Sequence, residues 1–264
     1  MNSPNSTYLE HYDKIKDEIK FITNSKIRLK LLHVIFHNEC SMKQINQETS
    51  LSYSSISSNI SKLEKKNLLF RKSNKYYLTN DLALYLICIF DFNNSLMFLK
   101  DFTDFFIGHN VQNIPLSSIE DLYLLKSSKI IESTGHDIYK TYNIIQNILN
   151  EGQYVKAILP FLYSNFIDIL LKLIKKQIKI DLIVPKNIGF IIKKEIQSDY
   201  LNLIFTKEEI NFSLFFTEDS MALGLFKNDG TYDQNRLLIS NSENSIFWAS
   251  RLFNNYKKEL KKNI

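Results

Sequence analysis

The chain has 264 residues, of which 44% are hydrophobic and 13% aromatic, and its formal net charge at pH 7 is +5. This length allows two domains with a core each, and the composition excludes an intrinsically disordered chain. The two cysteines, Cys40 and Cys88, are too few and too far apart for a disulfide framework or a zinc finger.

The N-terminus has no pattern of a signal peptide, because the segment MNSPNSTYLEHYDK is polar and lacks an apolar stretch. The longest apolar run, 82–90, lies between Asp81 and Asp91 and is shorter than the roughly 20 residues that a membrane span needs. The sequence therefore predicts a soluble, cytoplasmic protein without membrane association. Residues 1 to about 10 are expected to form a loose tail.

After two helical segments at 14–21 and 26–37, residues 41–79 carry the most informative local pattern. Ser41 can cap a short helix, residues 48–51 can turn, and Ser52 can cap a second helix. In that second helix Ile56, Ile60 and Leu63 share one face and are expected to point inward. Two strand-like runs, 68–70 and 75–78, follow. This order predicts a winged helix-turn-helix, whose second helix enters the DNA major groove.

The opposite face of the second helix is rich in serine, and small hydroxyl groups let a helix approach base edges closely. Asn67 is expected to end this helix in the left-handed conformation. The predicted tip of the wing, Arg71-Lys72-Ser73-Asn74, carries cations that can contact phosphates. The candidate DNA-binding residues are Ser52, Ser54, Ser55, Ser58, Lys62, Arg71, Lys72 and Lys75.

The charge distribution favours DNA binding over a merely solvated serine-rich helix. Residues 20–80 contain 11 Lys and Arg against 3 Asp and Glu, a net charge of +8, whereas the whole chain carries +5. Positive charge is therefore concentrated on this module, as in nucleic-acid-binding domains. Double-stranded DNA is the predicted partner.

Residues 81–108 are expected to form a helical connector, broken into two pieces at Asn93-Asn94. The connector is too apolar to be exposed along its length, which predicts that it pairs two copies of the chain in a homodimer. In the alternative interpretation, the connector packs only on the C-terminal domain of its own chain. The apolar residues on which both interpretations depend are Leu84, Ile87, Phe98, Phe102 and Phe106.

From residue 109 onward, strand patterns alternate with helical ones, which predicts an α/β domain with a largely buried sheet. The predicted domains are thus a winged helix-turn-helix at 11–80, a connector at 81–108 and a regulatory α/β domain at 109–264. A final helix is expected after the capping-box spacing of Ser240 and Glu243. The predicted strands are 129–132, 154–159, 179–184, 201–205, 212–217 and 221–226, and the predicted helices are 137–150, 165–176 and 188–198.

Two segments of the second domain resemble a known family. The segment HNVQNIP at 109–115 is similar to an HDLxxIP motif, and LGLF at 223–226, DGTYD at 229–233, LIS at 238–240, Trp248 and Tyr256 are similar to LGLFxxDGxYD…LxS…WGxxLFxxY. Both resemble archaeal winged-helix regulators with a FilR-type methanogenesis-regulator domain. Leu237, Ser245 and Ala249 depart from the pattern, where an acidic residue, alanine and glycine are usual.

The resemblance implies a one-component transcription factor of a methanogen, with a C-terminal α/β fold related to phospholipase-D-like domains but non-catalytic. A phospholipase-D-like enzyme needs histidine followed by lysine two residues later, and none of the five histidines, His11, His33, His37, His109 and His136, has that lysine. No enzyme activity and no cofactor are therefore expected. His33, His37 and Cys40 have a spacing seen in metal sensors, but three ligands or more must converge, and surface or capping roles are preferred.

The candidate effector-binding residues are His109, Tyr163, Tyr232 and Asp233, since pockets combine a few polar groups with aromatic rings. The alternative is structural, with Asp233 capping a turn and Trp248 in the core. Leu159-Pro160 marks the strand edge at which α/β domains bind ligands. The predicted function is a sequence-specific regulator whose second domain senses a small molecule; the alternative is a DNA-anchored adaptor whose second domain binds another protein.

Overall fold

The computed structural model describes residues 4–111, 114–163, 165–207 and 209–262. They form two compact units, Met1–Asp91 and Phe92–Ile264, each with its own hydrophobic core. The elements of the first unit, the last of which continues into the second, are α1 (Pro4–Thr23), α2 (Lys26–His37), α3 (Met42–Thr49), α4 (Tyr53–Lys65), β1 (Leu69–Lys72), β2 (Lys75–Leu78) and α5 (Asn80–Asp101).

The first unit is a winged helix-turn-helix, as predicted. Ile56, Ile60 and Leu63 of α4 are buried in a core that they share with α2, α3 and the hairpin. Ser41 caps α3 in a capping box with Gln44, and the hydroxyl of Ser52 accepts a hydrogen bond from the Ser55 amide at 3.2 Å. Both caps confirm the predicted helix starts.

The hairpin differs from its prediction in where the tip lies. Strands β1 and β2 pair antiparallel from Leu69 with Leu78 to Lys72 with Lys75, so Arg71 and Lys72 belong to β1. The tip is only Ser73-Asn74, with φ values of 49° and 66°. A two-residue turn of this kind matches the twist of the strands, which explains why pairing continues to its edge.

Two helix predictions are corrected. Helix α1 begins at Pro4, where the sequence suggested a tail to about residue 10, because proline suits the first turn of a helix. Helix α5 runs unbroken through Asn93-Asn94 and ends only before Phe102. Asparagine in a helix interior costs less than about 1 kcal/mol, and buried Leu86 and Phe98 on either side hold the helix together.

Helix α5 also bears on the expectation of no membrane association. It has 22 residues, and an 18-residue window within it has a mean hydropathy of 1.7, so by length and composition it could cross a membrane. The sequence had suggested only the shorter apolar run 82–90. However, Leu82 and Leu86 pack in the core of the first unit, and Phe98 in that of the second. Only 17% of the window is buried, but one helix of this length and composition is by itself weak evidence for a membrane span.

The second unit is an α/β domain. Its elements after α5 are α6 (Thr103–Ile107), β3 (His109–Asn110), α7 (Leu116–Ile119), a 3₁₀ turn (Leu122–Leu125), β4 (Lys129–Glu132), α8 (Lys140–Glu151), β5 (Tyr154–Ile158), α9 (Phe166–Lys175), β6 (Lys179–Pro185), α10 (Lys186–Glu195), β7 (Leu201–Thr206), β8 (Phe212–Phe216), β9 (Met221–Lys227), β10 (Arg236–Ser240) and α11 (Glu243–Lys262). Among the described residues the strand order is β4-β10-β9-β8-β5-β6-β7, with β3 beside β9.

The sheet is parallel at one end and antiparallel at the other. Strands β5, β6 and β7 are parallel and are connected through α9 and α10, whereas β8, β9, β10 and β4 are antiparallel to their neighbours. Phe216 packs in the core that contains α11, and Phe215 packs in the core that contains α8 and α9. Helices therefore cover both faces, which explains the continuous apolar runs of the central strands.

The sequence patterns did not predict strands β3 and β10. They also placed the N-cap of the last helix two residues too early. Helix α11 is capped by Ser242, whose hydroxyl accepts from the Ser245 amide at 3.2 Å, not by Ser240. Leu237, the position that departs from the family pattern toward an apolar residue, is buried in the core between β10 and the helices. Ser245 is also buried and donates its hydroxyl to the Leu124 carbonyl at 3.1 Å.

Candidate functional site

The exposed face of α4 carries most of the predicted base-reading residues. Ser54, Ser58 and Lys62 are exposed there, opposite the buried isoleucines. Ser52 and Ser55 differ, because their hydroxyls bond each other at 2.9 Å and Ser52 caps the helix. Ser58 and Lys62 are therefore exposed toward a groove without such a bond. The hydroxyl of Ser54 is also exposed but lies 3.0 Å from that of Ser52, and Ser52 and Ser55 hold the helix start.

Tyr53 is an exposed residue of α4 that the sequence reasoning missed. It is the first residue of the helix and its side chain is 52% exposed. A tyrosine ring at the start of a helix can contact both apolar base edges and phosphate oxygens. The available signal was its position directly after the capping Ser52.

On the wing, the three predicted cations have different surroundings. Arg71 is exposed, bonds the side chain of Asn74 and lies 5.7 Å from the Tyr76 ring. Lys75 forms an ion pair with Glu39 at 3.2 Å. The hydrogen bond from Tyr77, together with the hydrogen bond and the charge of Lys75, lowers the pKa of Glu39. Among the described residues Lys72 has no carboxylate partner and is the wing cation most available to a phosphate.

Several other cations of the first unit have structural roles. Arg28 is 8% exposed and contacts both the carbonyl and the ring of Phe21. Lys30 donates to the Thr49 carbonyl at the end of α3, and Lys66 lies over the Phe21 ring at 4.9 Å. The net charge of the module therefore overstates the number of cations that can reach a polyanion.

His33 and His37 contact each other rather than a common ligand centre. Their ring centroids are 4.7 Å apart, and Cys40 is buried with its thiol directed at the Asn38 carbonyl. Burial raises the pKa of the Cys40 thiol. In the parts of the chain that the structure describes, no three His, Cys, Asp or Glu side chains converge to hold a metal ion.

In the second unit, the candidate residues His109 and Asp233 form a buried pair. Nε2 of His109 lies 3.0 Å from a carboxylate oxygen of Asp233, and Nδ1 faces the carbonyl of Phe105. Asp233 also accepts from the Asn235 amide at 3.0 Å, as a turn-capping aspartate does. The pair ties β3 to the loop after β9.

The other two candidates, Tyr163 and Tyr232, meet in a cluster of hydroxyl groups. Their hydroxyls are 2.6 Å apart, and Ser213 of β8 lies 2.6 Å from Tyr232. Burial raises the pKa of both tyrosines, so they stay protonated at neutral pH. A Cβ on Gly224 would lie 2.0 Å from the Tyr232 hydroxyl, so glycine is needed there to admit the ring.

A crevice of about 650 Å³ lies at the carboxyl ends of the parallel strands. Pro160 after β5, Pro185 at the end of β6 and Thr206 at the end of β7 line it, and Phe226 of β9 closes one side. The Phe226 ring packs against Tyr232 at 5.3 Å, so the hydroxyl cluster lies behind this wall. The crevice lies at the strand edge where Leu159-Pro160 predicted a ligand site. The remaining lining residues are Lys186, Asn187, Lys207, Glu209, Ile210 and Asn211.

Comparison with known proteins identifies the family. The family model described as "Methanogenesis regulatory protein FilR1, N-terminal domain" matches residues 16–84, and the model of its middle domain matches residues 138–259. Together the two matches span more than half of the chain. The chain belongs to the FilR1 family. Of the first family motif, Gln112 and Asn113 lie outside the described residues.

One curated FilR1 relative is "Methanogenesis regulatory protein FilR1" of Methanothrix harundinacea (strain 6Ac), which is 22% identical over 264 residues. The alignment covers 94% of this chain but only 58% of the relative, so the chain spans less than two thirds of that protein.

Two solved structures have a low similarity to this chain. TrmBL2, described as an archaeal chromatin protein with a novel mode of DNA binding, has a TM-score of 0.41 and 12% identity over 89% of this chain and 93% of its own. The phospholipase D family member Nuc from Salmonella typhimurium has a TM-score of 0.37 and 8% identity over 52% of this chain and 94% of its own. At such scores neither likeness bears on function.

The buried pair of this FilR1-family domain yields a stability prediction. Replacing Asp233 with alanine leaves a buried ring nitrogen of His109 without its hydrogen-bond partner, and we expect the free energy of unfolding to fall by about 1–3 kcal/mol. The matched control is Asp199→Ala, an exposed aspartate for which we expect a change within about 0.5 kcal/mol. Urea unfolding measures both, and equal values for the two variants would contradict a structural role for the pair.

Proposed function

We propose that this chain is a sequence-specific DNA-binding transcriptional regulator of the one-component type, active as a homodimer. In this proposal residues 11–80 read double-stranded DNA, residues 81–108 pair two copies, and residues 109–264 sense a small molecule that changes operator affinity. Binding to DNA implies a cytoplasmic location. An enzymatic role is not part of the proposal, since the histidine-lysine spacing of phospholipase-D-like enzymes is missing.

The observation that carries the proposal is the exposed surface of α4 together with the wing. Hydroxyl groups at Ser54 and Ser58 lie on the same exposed helix face as the cation of Lys62, and Lys72 extends from the adjacent hairpin. A recognition helix reads base edges with such short polar groups while wing cations contact phosphates. Mapping the binding sites of the chain across the genome of its native host tests the proposal, which predicts discrete sites that share a motif. Occupancy without a shared motif would contradict it.

Base reading by α4 gives a second prediction. In a Ser54→Ala, Ser58→Ala variant we expect the preferred sequence to change by about 1–3 kcal/mol at the contacted positions, because the base edge is left without its hydroxyl partner. Selection from random duplex DNA with both proteins measures the preference. Ser127→Ala, which removes an exposed hydroxyl from the second unit, serves as the control. An identical motif for the wild type and the Ser54/Ser58 variant would remove these serines from the readout.

The residues of α5 that support a dimer differ from those that the sequence suggested. Phe98 and Phe102, which were expected at the subunit interface, are buried in the core of their own unit. Three other apolar residues of α5 are exposed in the described chain: Phe92, Leu96 and Leu99, at 65%, 49% and 38%. Their i, i+4, i+7 spacing forms one apolar stripe, as at helix–helix interfaces. A second copy of α5 would cover this stripe.

The small-molecule role rests on the crevice and on the hydroxyl cluster behind it. A volume of about 650 Å³ lies within the range of ligand pockets, and its walls combine apolar with polar groups. His109, Tyr163, Tyr232 and Asp233 are proposed to support this site from behind Phe226. An effector that shifts operator affinity supports this role, whereas co-purification with another protein and no response to metabolites supports the adaptor.

A further inference from the structure

From the crevice at the carboxyl ends of β5, β6 and β7 we infer a binding site for a small organic anion, one with a phosphate or carboxylate group on an apolar body. This inference deepens the proposed sensing role by naming the class of ligand, and it rests on that role only for its regulatory meaning. The anion would lie between Lys186 and Lys207, and the body against Ile210 and Phe226.

Two lysines bring positive charge to the same cavity wall. Lys186 opens α10 directly after β6, and Lys207 follows the last residue of β7, the neighbouring parallel strand. Both line the crevice. Within the ranges that the structure describes, neither lysine has a carboxylate within ion-pair distance, although Glu209 lines the same cavity. Two lysines on the wall of one cavity, without an ion-pair partner among the described residues, attract an anion.

The backbone adds to this charge. Helix α10 begins at the crevice, and its N-cap position is Pro185, which provides no side-chain hydrogen bond to the first turn. The amides of the first turn of a helix have no partner within the helix, and together they favour an anion. The crevice lysines and these amides therefore act on the same group.

Helix α10 packs closely against the sheet, which places its first turn beside the crevice. Gly189 is buried, and a Cβ there would lie 2.1 Å from the Phe205 ring of β7. The helix can approach the strand only because this residue has no side chain. Such an approach brings the first turn of α10 to the strand ends, as glycines do in other α/β domains that bind phosphates.

The test measures binding of two probes, benzyl phosphate and benzoate, to the full-length protein by calorimetry at constant ionic strength, with benzyl alcohol as the neutral counterpart of the first. We expect saturable binding of at least one anion in the millimolar range or tighter, and much weaker binding of benzyl alcohol. In a Lys186→Gln, Lys207→Gln variant we expect the affinity to fall at least about tenfold, because the anion no longer has two charged hydrogen-bond donors.

The matched control is Lys175→Gln, Lys194→Gln, which removes the same charge from exposed positions of α9 and α10 that do not line the crevice. Its affinity should stay within about twofold of the wild type if the crevice is the site. A Lys186→Arg, Lys207→Arg variant keeps the charge and should keep most of the binding. Equal weakening in both glutamine variants, or no saturable binding of either anion, would overturn the inference.

A second readout separates this inference from the proposed function. DNA affinity of the wild type is measured with and without the bound anion. Absence of anion binding with normal DNA binding would contradict the anion site alone. Saturable anion binding in a protein that does not bind DNA would contradict the proposed regulator and leave the site in place.

Discussion

Charging the exposed stripe of α5 is expected to separate the dimer and to weaken operator binding by about 10²-fold or more, because two linked DNA-binding modules gain that much from acting together. The variant is Phe92→Glu, at a side chain that is 65% exposed in the single chain. A carboxylate in the middle of an apolar interface must be dehydrated without a partner, which disfavours pairing. Light scattering measures the mass, and fluorescence anisotropy measures the affinity for a duplex with two half-sites.

The matched control is Phe247→Glu on α11, since Phe247 is also a largely exposed phenylalanine, at 56%. It should leave both mass and affinity unchanged. Because Phe92 is exposed, its replacement should not unfold the domain, unlike a charge at buried Phe98. A wild type that is monomeric at micromolar concentration, or a Phe92→Glu variant that stays dimeric, would contradict the proposed dimer.

The second large effect concerns the wing. Replacing Arg71 and Lys72 with alanine should weaken binding to all duplexes, and the slope of log affinity against log salt should become shallower by about 0.9 for each phosphate that the wing no longer neutralises. Lys72 contributes most, because Arg71 also bonds Asn74 and Lys75 is paired with Glu39. Salt titrations of binding to a random-sequence duplex measure the slopes of the variant and the wild type.

Lys14→Ala, Lys20→Ala is the control for this experiment, since it removes two exposed cations of α1 and hence the same net charge. We expect its slope to stay close to that of the wild type. Equal slopes for the wing variant and the wild type would show that the wing does not contact DNA.

The helix-turn-helix of the first unit could be predicted from the sequence because its signals are local. Ser41 and Ser52 mark helix starts through their own hydroxyls, and Asn67 marks a helix end through its left-handed conformation, with φ of 55°. Each of these is decided by residues within one turn. The roles of the lysines were less predictable, because partners such as Glu39, 36 residues from Lys75, are brought near only by the fold.

In the second unit, contacts between residues that are distant in sequence could not be predicted. Its longer strands and helices follow from apolar periodicity, but β10 was missed because it pairs with β9 and β4, which are distant in sequence from each other. The pairing of His109 with Asp233 joins residues 124 positions apart. Residue types alone suggested that both belong to a site, whereas only the tertiary structure shows that they bond each other and that the crevice lysines lie elsewhere.

Central to the proposed function is the reading of a DNA sequence by the exposed face of α4. Selection of binding sites from random duplex DNA by the purified full-length protein, at physiological salt, tests this role most directly. We expect enrichment of one motif with two related half-sites about one helical turn, or roughly 10 base pairs, apart. Recovery of duplexes without any shared motif, or no recovery above a protein-free control, would contradict it.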